Sequence, residues 1–258
     1  MSSIAFFGAT GGSTISCLAP ALQAGYHCTA LARSQSKLIE CLQQRGISES
    51  IIKDHLSVTE GTITDLDAVK RTIQPGGSGS PMIDIIVSGI GGKLLFDSPL
   101  KPTLDNPTVC QDAVRTILEA TREAELPDSA QKPTLIVLST TGISDICRDL
   151  PYAMMPMYYW MLKMPHEDKK VMEALIREEM NKAVEKRGVG EYIIVRPSLL
   201  TEGEGDGLEK IKAGVEDKPA VGYVIAREDV GRWVFERLVK GGKESRSGWL
   251  GRVVSITT

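Results

Sequence analysis

The sequence predicts an α/β fold, a doubly wound parallel sheet with a small C-terminal extension, on three observations. The apolar run Ile4-Ala5-Phe6-Phe7 passes straight into Gly8-Ala9-Thr10-Gly11-Gly12-Ser13-Thr14 and then into a helix-capable segment, the strand, tight turn and helix of a βα unit. Short apolar runs alternate with amphipathic segments along the chain, the order that builds parallel sheets with helical crossovers. Ile83-Asp84-Ile85-Ile86-Val87-Ser88 and Thr134-Leu135-Ile136-Val137-Leu138-Ser139 are apolar and β-branched, as strands covered on both faces should be. With 258 residues, 42% hydrophobic and 24% charged, the chain can bury a substantial core and is expected to form one domain over 1–258.

After the first turn a helix is expected from Ile15 to Ala24, stopped by Gly25, then a strand over Cys28–Ala32, because a glycine just past the last periodic apolar residue ends helices. A helix over Ser36–Gln44, a short strand over Leu56–Thr59 and a helix over Asp65–Ile73 follow. Pro75-Gly76-Gly77-Ser78-Gly79-Ser80-Pro81 suits neither period and reads as a surface loop. Beyond the two covered strands come a long helix over Pro165–Lys186 and a strand over Tyr192–Val195, stopped at Arg196-Pro197 because proline has no amide to donate. A helix over Asp229–Val239 and a last strand over Val253–Ile256 complete the series. No repeat of solenoid period is visible.

A formal net charge of −3 obliges no face to be basic, which argues against nucleic acid or anionic membrane as a partner. The five cysteines, Cys17, Cys28, Cys41, Cys110 and Cys147, are widely spaced and lack zinc-ligand spacing, so they read as reduced thiols with no metal site. There is no signal-peptide pattern and no apolar run of membrane-spanning length. The expectation is a cytoplasmic protein, with nothing to indicate an oligomer.

Open parallel sheets bind ligands outside the carboxyl ends of their strands. Gly8, Thr10, Gly11, Gly12, Ser13 and Thr14 supply a turn whose bare amides and following helix N-terminus suit a pyrophosphate. After the second strand stand Arg33, Ser34 and Lys37, where an acid would select NAD by accepting from the ribose 2′-OH. Arg33 offers donors suited to a 2′-phosphate instead, so NADP(H) is the expected cofactor.

Gly8-Ala9-Thr10-Gly11, the basic second-strand end, Ser88-Gly89-Ile90-Gly91-Gly92, Ser139-Thr140-Thr141-Gly142 and Arg196-Pro197-Ser198 together resemble the atypical short-chain dehydrogenase/reductases. The resemblance is to the NmrA-like and biliverdin-reductase-B-like branches of this Rossmann-type family and covers nearly the whole chain. It implies that Thr10 to Ser13 face the pyrophosphate, Thr62 and Ile63 flank adenine, Ser88, Gly89, Ile90 and Gly91 line the cofactor ribose, and Pro197, Ser198 and Leu199 approach the nicotinamide. Residues 200–250 would form a small substrate-side part, and Arg227-Glu228-Asp229-Val230 looks like the family's late, structural helix start. Two departures stand out: Thr14 occupies the third glycine position, and the usual Tyr-x-x-x-Lys is displaced.

In that motif the lysine lowers the tyrosine pKa so that the phenol can pass a proton. Tyr159-Trp160-Met161-Leu162-Lys163 matches its letters, whereas Lys169-Lys170-Val171-Met172-Glu173 matches the family's lysine-and-glutamate helix with Pro165 at the tyrosine position. Helical periodicity favours the second register: Lys169 falls in the stripe of Met172, Ile176, Met180 and Ala183, and Lys170 points away. A lysine on a buried face needs a partner, either Glu173 four residues on or the cofactor ribose. His166 and Asp168 then become acid/base candidates, although a proline followed by acids is also a favourable helix start. Tyr159 remains a further candidate, and Ser139 and Thr140 are placed to orient a carbonyl or the cofactor.

Residues 145–165 include the aromatic and methionine-rich run Leu150–Leu162, an adaptable wall for an apolar substrate, a lid packed on the core or a subunit contact. The leading expectation is an NADP(H)-dependent reductase of a carbonyl, imine or conjugated double bond in a mid-sized apolar metabolite, of the kind secondary metabolism makes. One alternative is a repurposed fold acting as an isomerase or cyclase through Asp168. The other is a non-catalytic NmrA-like redox sensor that binds NADP(H) and a protein partner.

Overall fold

Strands and helices alternate through a computed structural model that describes residues 2–95, 103–125 and 131–258. The first half comprises β1 (Ile4–Phe7), α1 (Gly12–Gln23), β2 (Cys28–Ala32), α2 (Gln35–Gln44), α3 (Glu49–His55), β3 (Leu56–Glu60), α4 (Leu66–Ile73) and β4 (Ile85–Ser88). Then come β5 (Leu94–Leu95), β6 (Thr103–Leu104), α5 (Val109–Glu123), β7 (Thr134–Leu138), α6 (Met155–Met161), α7 (Lys163–Asn181) and β8 (Glu191–Pro197). The last part holds β9 (Leu199–Thr201), β10 (Lys212–Val215), β11 (Val224–Ala226), α8 (Arg227–Val234), α9 (Gly242–Arg246) and β12 (Arg252–Thr257).

Eight strands form the main sheet in the order β10-β12-β8-β7-β4-β1-β2-β3. Within it only the β10–β12 pair is antiparallel. The chain winds one way through β2 and β3 and the other way through β4, β7 and β8, so the order reverses between β1 and β4. This is a Rossmann-type doubly wound sheet, and a crevice opens above the carboxyl ends of those two strands.

β1, β2, β4 and β7 are buried at every residue, which explains their lack of a polar face. Because successive strand residues point to opposite sides, Phe6 enters one apolar layer with Leu18, Leu22, Leu38, Val230 and Trp233. Phe7 enters the other, with Val69, Ile86, Ile117, Met172 and Ile176. Burying each of these large side chains contributes roughly 1.5–3 kcal/mol relative to exposure, so the register of β1 is held from both faces.

Several boundaries differ from the sequence reading for local reasons. α1 starts at Gly12 because Gly11 takes the extended N-cap conformation, and α3 appears where Ser48 caps it by accepting from Ile51 N–H at 3.4 Å. α5 buries the helical stripe Cys110, Val114, Ile117 and Thr121 against the sheet. α7 ends at Asn181, and Val184–Lys186 forms a separate turn. α8 begins at Arg227 and passes into a wider helical turn at Phe235–Val239. Among the described residues no helix is long and apolar enough to cross a membrane.

A candidate dinucleotide and active site

Gly8 turns the chain off β1 at φ 75°, a left-handed conformation that side chains resist. A Cβ there would also stand 3.1 Å from the backbone of Gly89 and Ile90. Gly11 N–H donates to Gly8 O at 2.9 Å and closes the turn. α1 begins with no side-chain cap and no acid in its first turn, which leaves its first amides and the positive end of its dipole to an anion. The hydroxyls of Ser13 and Thr14 are buried there and unpartnered among the described residues. A bare glycine turn, an uncapped helix end and two orphaned hydroxyls fit a pyrophosphate.

Two clefts meet at this turn. One of about 480 Å³ is lined by Gly8, Thr10, Arg33, Thr62, Ile63 and Asp105 among others. The other, of about 290 Å³, is lined among others by Ser13, Thr14, Ser139, Thr140, Tyr158, Lys169, Pro197, Ser198, Leu199 and Arg227. They share Gly11 and the stretch Gly89 to Gly92, so a single groove runs across the ends of β2, β1, β4, β7 and β8. Its first arm has the donors and small residues for an adenosine half, and its second arm can take a nicotinamide with a substrate beside it.

A family model described as NAD(P)H-binding matches residues 8–240. Reductase pytE of Aspergillus terreus is 62% identical over 257 residues, spanning 98% of this chain and 97% of that protein. The chain belongs to the NAD(P)H-binding family. Oxidase pynE of Aspergillus niger is 38% identical over 283 residues, spanning 98% of each chain. A short-chain dehydrogenase/reductase of Veillonella parvula, solved in complex with NADP, shares the fold with a TM-score of 0.67 at 14% identity, over 100% of this chain and 94% of that one. ChuY, an anaerobillin reductase of Escherichia coli, does so at 0.61 and 18% identity, over 98% and 96%. This NAD(P)H-binding protein is an oxidoreductase with the short-chain dehydrogenase/reductase fold.

Within this family member, Lys169 on α7 is half-buried, and its Nζ donates to Leu138 O at the end of β7 at 2.7 Å. Glu173 is not its partner. That carboxylate accepts from the Ser139 hydroxyl at 2.5 Å and from Arg196 Nε and Nη2 at 2.9 and 2.6 Å. Ser139 therefore lines the cleft with its hydroxyl already committed. Arg33 is exposed on the adenosine arm. Ser34 instead caps α2, accepting from Lys37 N–H at 3.3 Å, and neither Ser34 nor Lys37 lines a cleft. Ser88 is buried inside β4 and paired between Phe7 and Val137, so the strand end reaches the groove only from Gly89 onward.

The acid/base candidates fall elsewhere. Asp168 turns away from the groove, where its two oxygens accept from the Cys110 and Gln111 amides at 2.9 and 3.0 Å and so cap the start of α5. His166 is buried against the Tyr158 ring, with centroids 5.5 Å apart. Burial, then the charges of Lys169 and Lys170, push its imidazole down to about 4, so it is neutral at physiological pH. Tyr159 is 69% exposed, and among the described residues Lys163 reaches only Glu167, at 4.0 Å in solvent. The letter-matching motif thus lies on the outer face of α6 and α7.

The preceding residue, Tyr158, is the tyrosine that lines the cleft, 3% exposed. It packs with Leu150 and Leu162 in a small apolar cluster separate from the two sheet layers. Burial pushes its phenol above the usual range. Its signal in the sequence is the apolar partner four residues on, Leu162, which shares its helical face.

Proposed function

We propose that this oxidoreductase uses NADPH to reduce a carbonyl, imine or conjugated double bond of a mid-sized apolar metabolite, with Tyr158 as proton donor and Lys169 as its cationic neighbour. The reading is carried by one observation: the cleft beside the glycine turn is lined by Tyr158 and Lys169 and by no carboxylate or histidine among the described residues. Bound NADPH supplies a hydride. Tyr158, a phenol protonated at neutral pH like any tyrosine and pushed further up by burial, holds the proton that the reduced atom needs. Lys169, fixed by Leu138 O, places a positive charge in the lining of the same cleft, where it can hold a ribose hydroxyl. Arg33 supports NADPH over NADH because its exposed guanidinium lines the adenosine arm.

Leu138, Leu162, Leu199 and Leu200 give the cleft an apolar wall, which supports an apolar substrate. Tyr158 and Leu162 line that cleft from within residues 145–165, which supports this segment as its cover within one domain over 1–258. Their small cluster around Tyr158, apart from the main layers, suits a cover able to open.

The reading is tested by NADPH oxidation with a panel of apolar carbonyls and imines. Tyr158→Phe should lower kcat by about 100-fold with NADPH affinity retained, Lys169→Ala should lower both, and Tyr159→Phe and Lys163→Ala should be silent. If Tyr159→Phe and Lys163→Ala abolish turnover while Tyr158→Phe and Lys169→Ala leave it intact, the assignment is wrong. Tight nucleotide binding without any oxidation, together with recovery of a protein partner, would replace the reductase by a sensor.

A further inference from the structure

α8 crosses α1 at Gly231, where a Cβ would collide with the Ser13 carbonyl and with Ser16, so only glycine lets the two helices approach this closely. The two acids that follow Arg227 hold α8 in place, Glu228 against α1 and Asp229 against residues 206–207. Glu228 Oε2 accepts from Ser16 Oγ at 2.5 Å and from Arg45 Nη1 at 2.7 Å. Asp229, fully buried, accepts from the amides of Asp206 and Gly207 at 2.7 and 3.2 Å. With its neighbours so committed, Arg227 lines the 290 Å³ cleft, and its Cδ lies 2.8 Å from where a Cβ on Gly12 would stand.

Gly12 is the first residue of α1, so the arginine stem crosses the helix end that the glycine turn leaves bare. The buried, unpartnered hydroxyls of Ser13 and Thr14 belong to the same turn. Among the described residues lining the two clefts the cations are Arg33, Lys169 and Arg227. Arg33 stands at the end of β2 and Lys169 at the end of β7, which leaves Arg227 as the positive side chain at the turn itself. Arg227 Nε donates to Glu202 Oε1 at 2.8 Å, and that carboxylate is 84% exposed. An ion pair so open to water is weak, whereas a guanidinium on diphosphate oxygens makes paired, charge-assisted hydrogen bonds.

We propose that Arg227 is a pyrophosphate clamp, which exchanges Glu202 for the diphosphate of the bound dinucleotide. The proposal rests on nucleotide binding in this groove and extends the cofactor site to a helix more than 200 residues downstream of the glycine turn.

Calorimetric titration of the full chain with NADPH, NADH and 2′-AMP tests it. Arg227→Ala should weaken NADPH and NADH by the same factor, about tenfold, and leave 2′-AMP, which has no diphosphate, unchanged. Arg227→Lys should recover part of the loss, and Glu202→Gln should tighten both dinucleotides by freeing the guanidinium. Undiminished affinity in Arg227→Ala, a loss confined to NADPH, or an equal loss for 2′-AMP overturns the clamp, and weaker binding in Glu202→Gln overturns the exchange. A wild-type chain that binds neither dinucleotide overturns the groove itself.

Discussion

The Thr14 hydroxyl occupies the space where a Cβ on Gly89 would stand. The usual arrangement puts a glycine on the helix so that it can lie close to the sheet. Here the glycine has moved to the strand end, and the helix carries the side chain. Gly89→Ala should therefore overpack the contact, also pressing on Leu138, at a cost of about 1–3 kcal/mol. Thr14→Ala should rescue most of it, because the remaining Cβ separation of 3.4 Å is ordinary contact and only the end of the Leu138 side chain, 3.1 Å away, must still shift. Urea denaturation of the two single variants and the double variant would measure the coupling; simple additivity would show that the residues do not share this space.

Arg33→Ala should lower NADPH affinity by about tenfold, the scale of losing a charge-assisted hydrogen bond at an exposed site, and leave NADH affinity unchanged. Lys37→Ala should do much less, since Lys37 lines neither cleft. Paired titrations with the two nucleotides decide this, and an equal loss for both would move the 2′-phosphate contact elsewhere.

Asp168→Asn should destabilise the fold by about 1–3 kcal/mol and leave kcat near wild type, because it replaces one of two acceptor oxygens at the α5 amides with a donor. A large fall in kcat with an unchanged melting temperature would return Asp168 to the chemistry.

His166 makes the fold acid-sensitive in a defined window. Its folded pKa, about 4, lies below the ordinary 6.5, so below pH 6.5 the unfolded chain binds a proton that the native state refuses. Stability is therefore retained above pH 6.5 and lost as pH falls from there through about 4, by up to about 3 kcal/mol. His166→Phe should flatten that part of the stability-pH profile; a variant whose profile matches the wild type would remove His166 as the cause.

The glycine turn and the covered strands were legible because their information is local: an apolar run, glycines, then helix period. The place of Lys169 followed from the stripe it shares with Met172 and Ile176. Tyr158 was harder, because the neighbouring Tyr159 completes a familiar letter pattern with Lys163, and one residue on a helix turns a side chain by about 100°. The burial of Tyr158 is set by contact with His166 and Leu150, and the role of Asp168 by amides 57 and 58 residues away. Leu150 and the two amides are not visible from local period. Arg227 reaches Gly12 only through a helix crossing, a relationship that no window of sequence contains.

That crossing also bears on synthesis. The apolar layer under α1 includes Val230, Trp233 and Val234, so a nascent chain cannot complete it while those residues are inside the ribosome. Until they emerge, the first βα unit carries an uncovered face of the kind that recruits chaperones or aggregates. Arrival of α8 covers α1 and delivers Arg227 to the turn together, so the step that shields the first βα unit also gives the groove its central cation, before Val254 and Ile256 of β12 complete the layer.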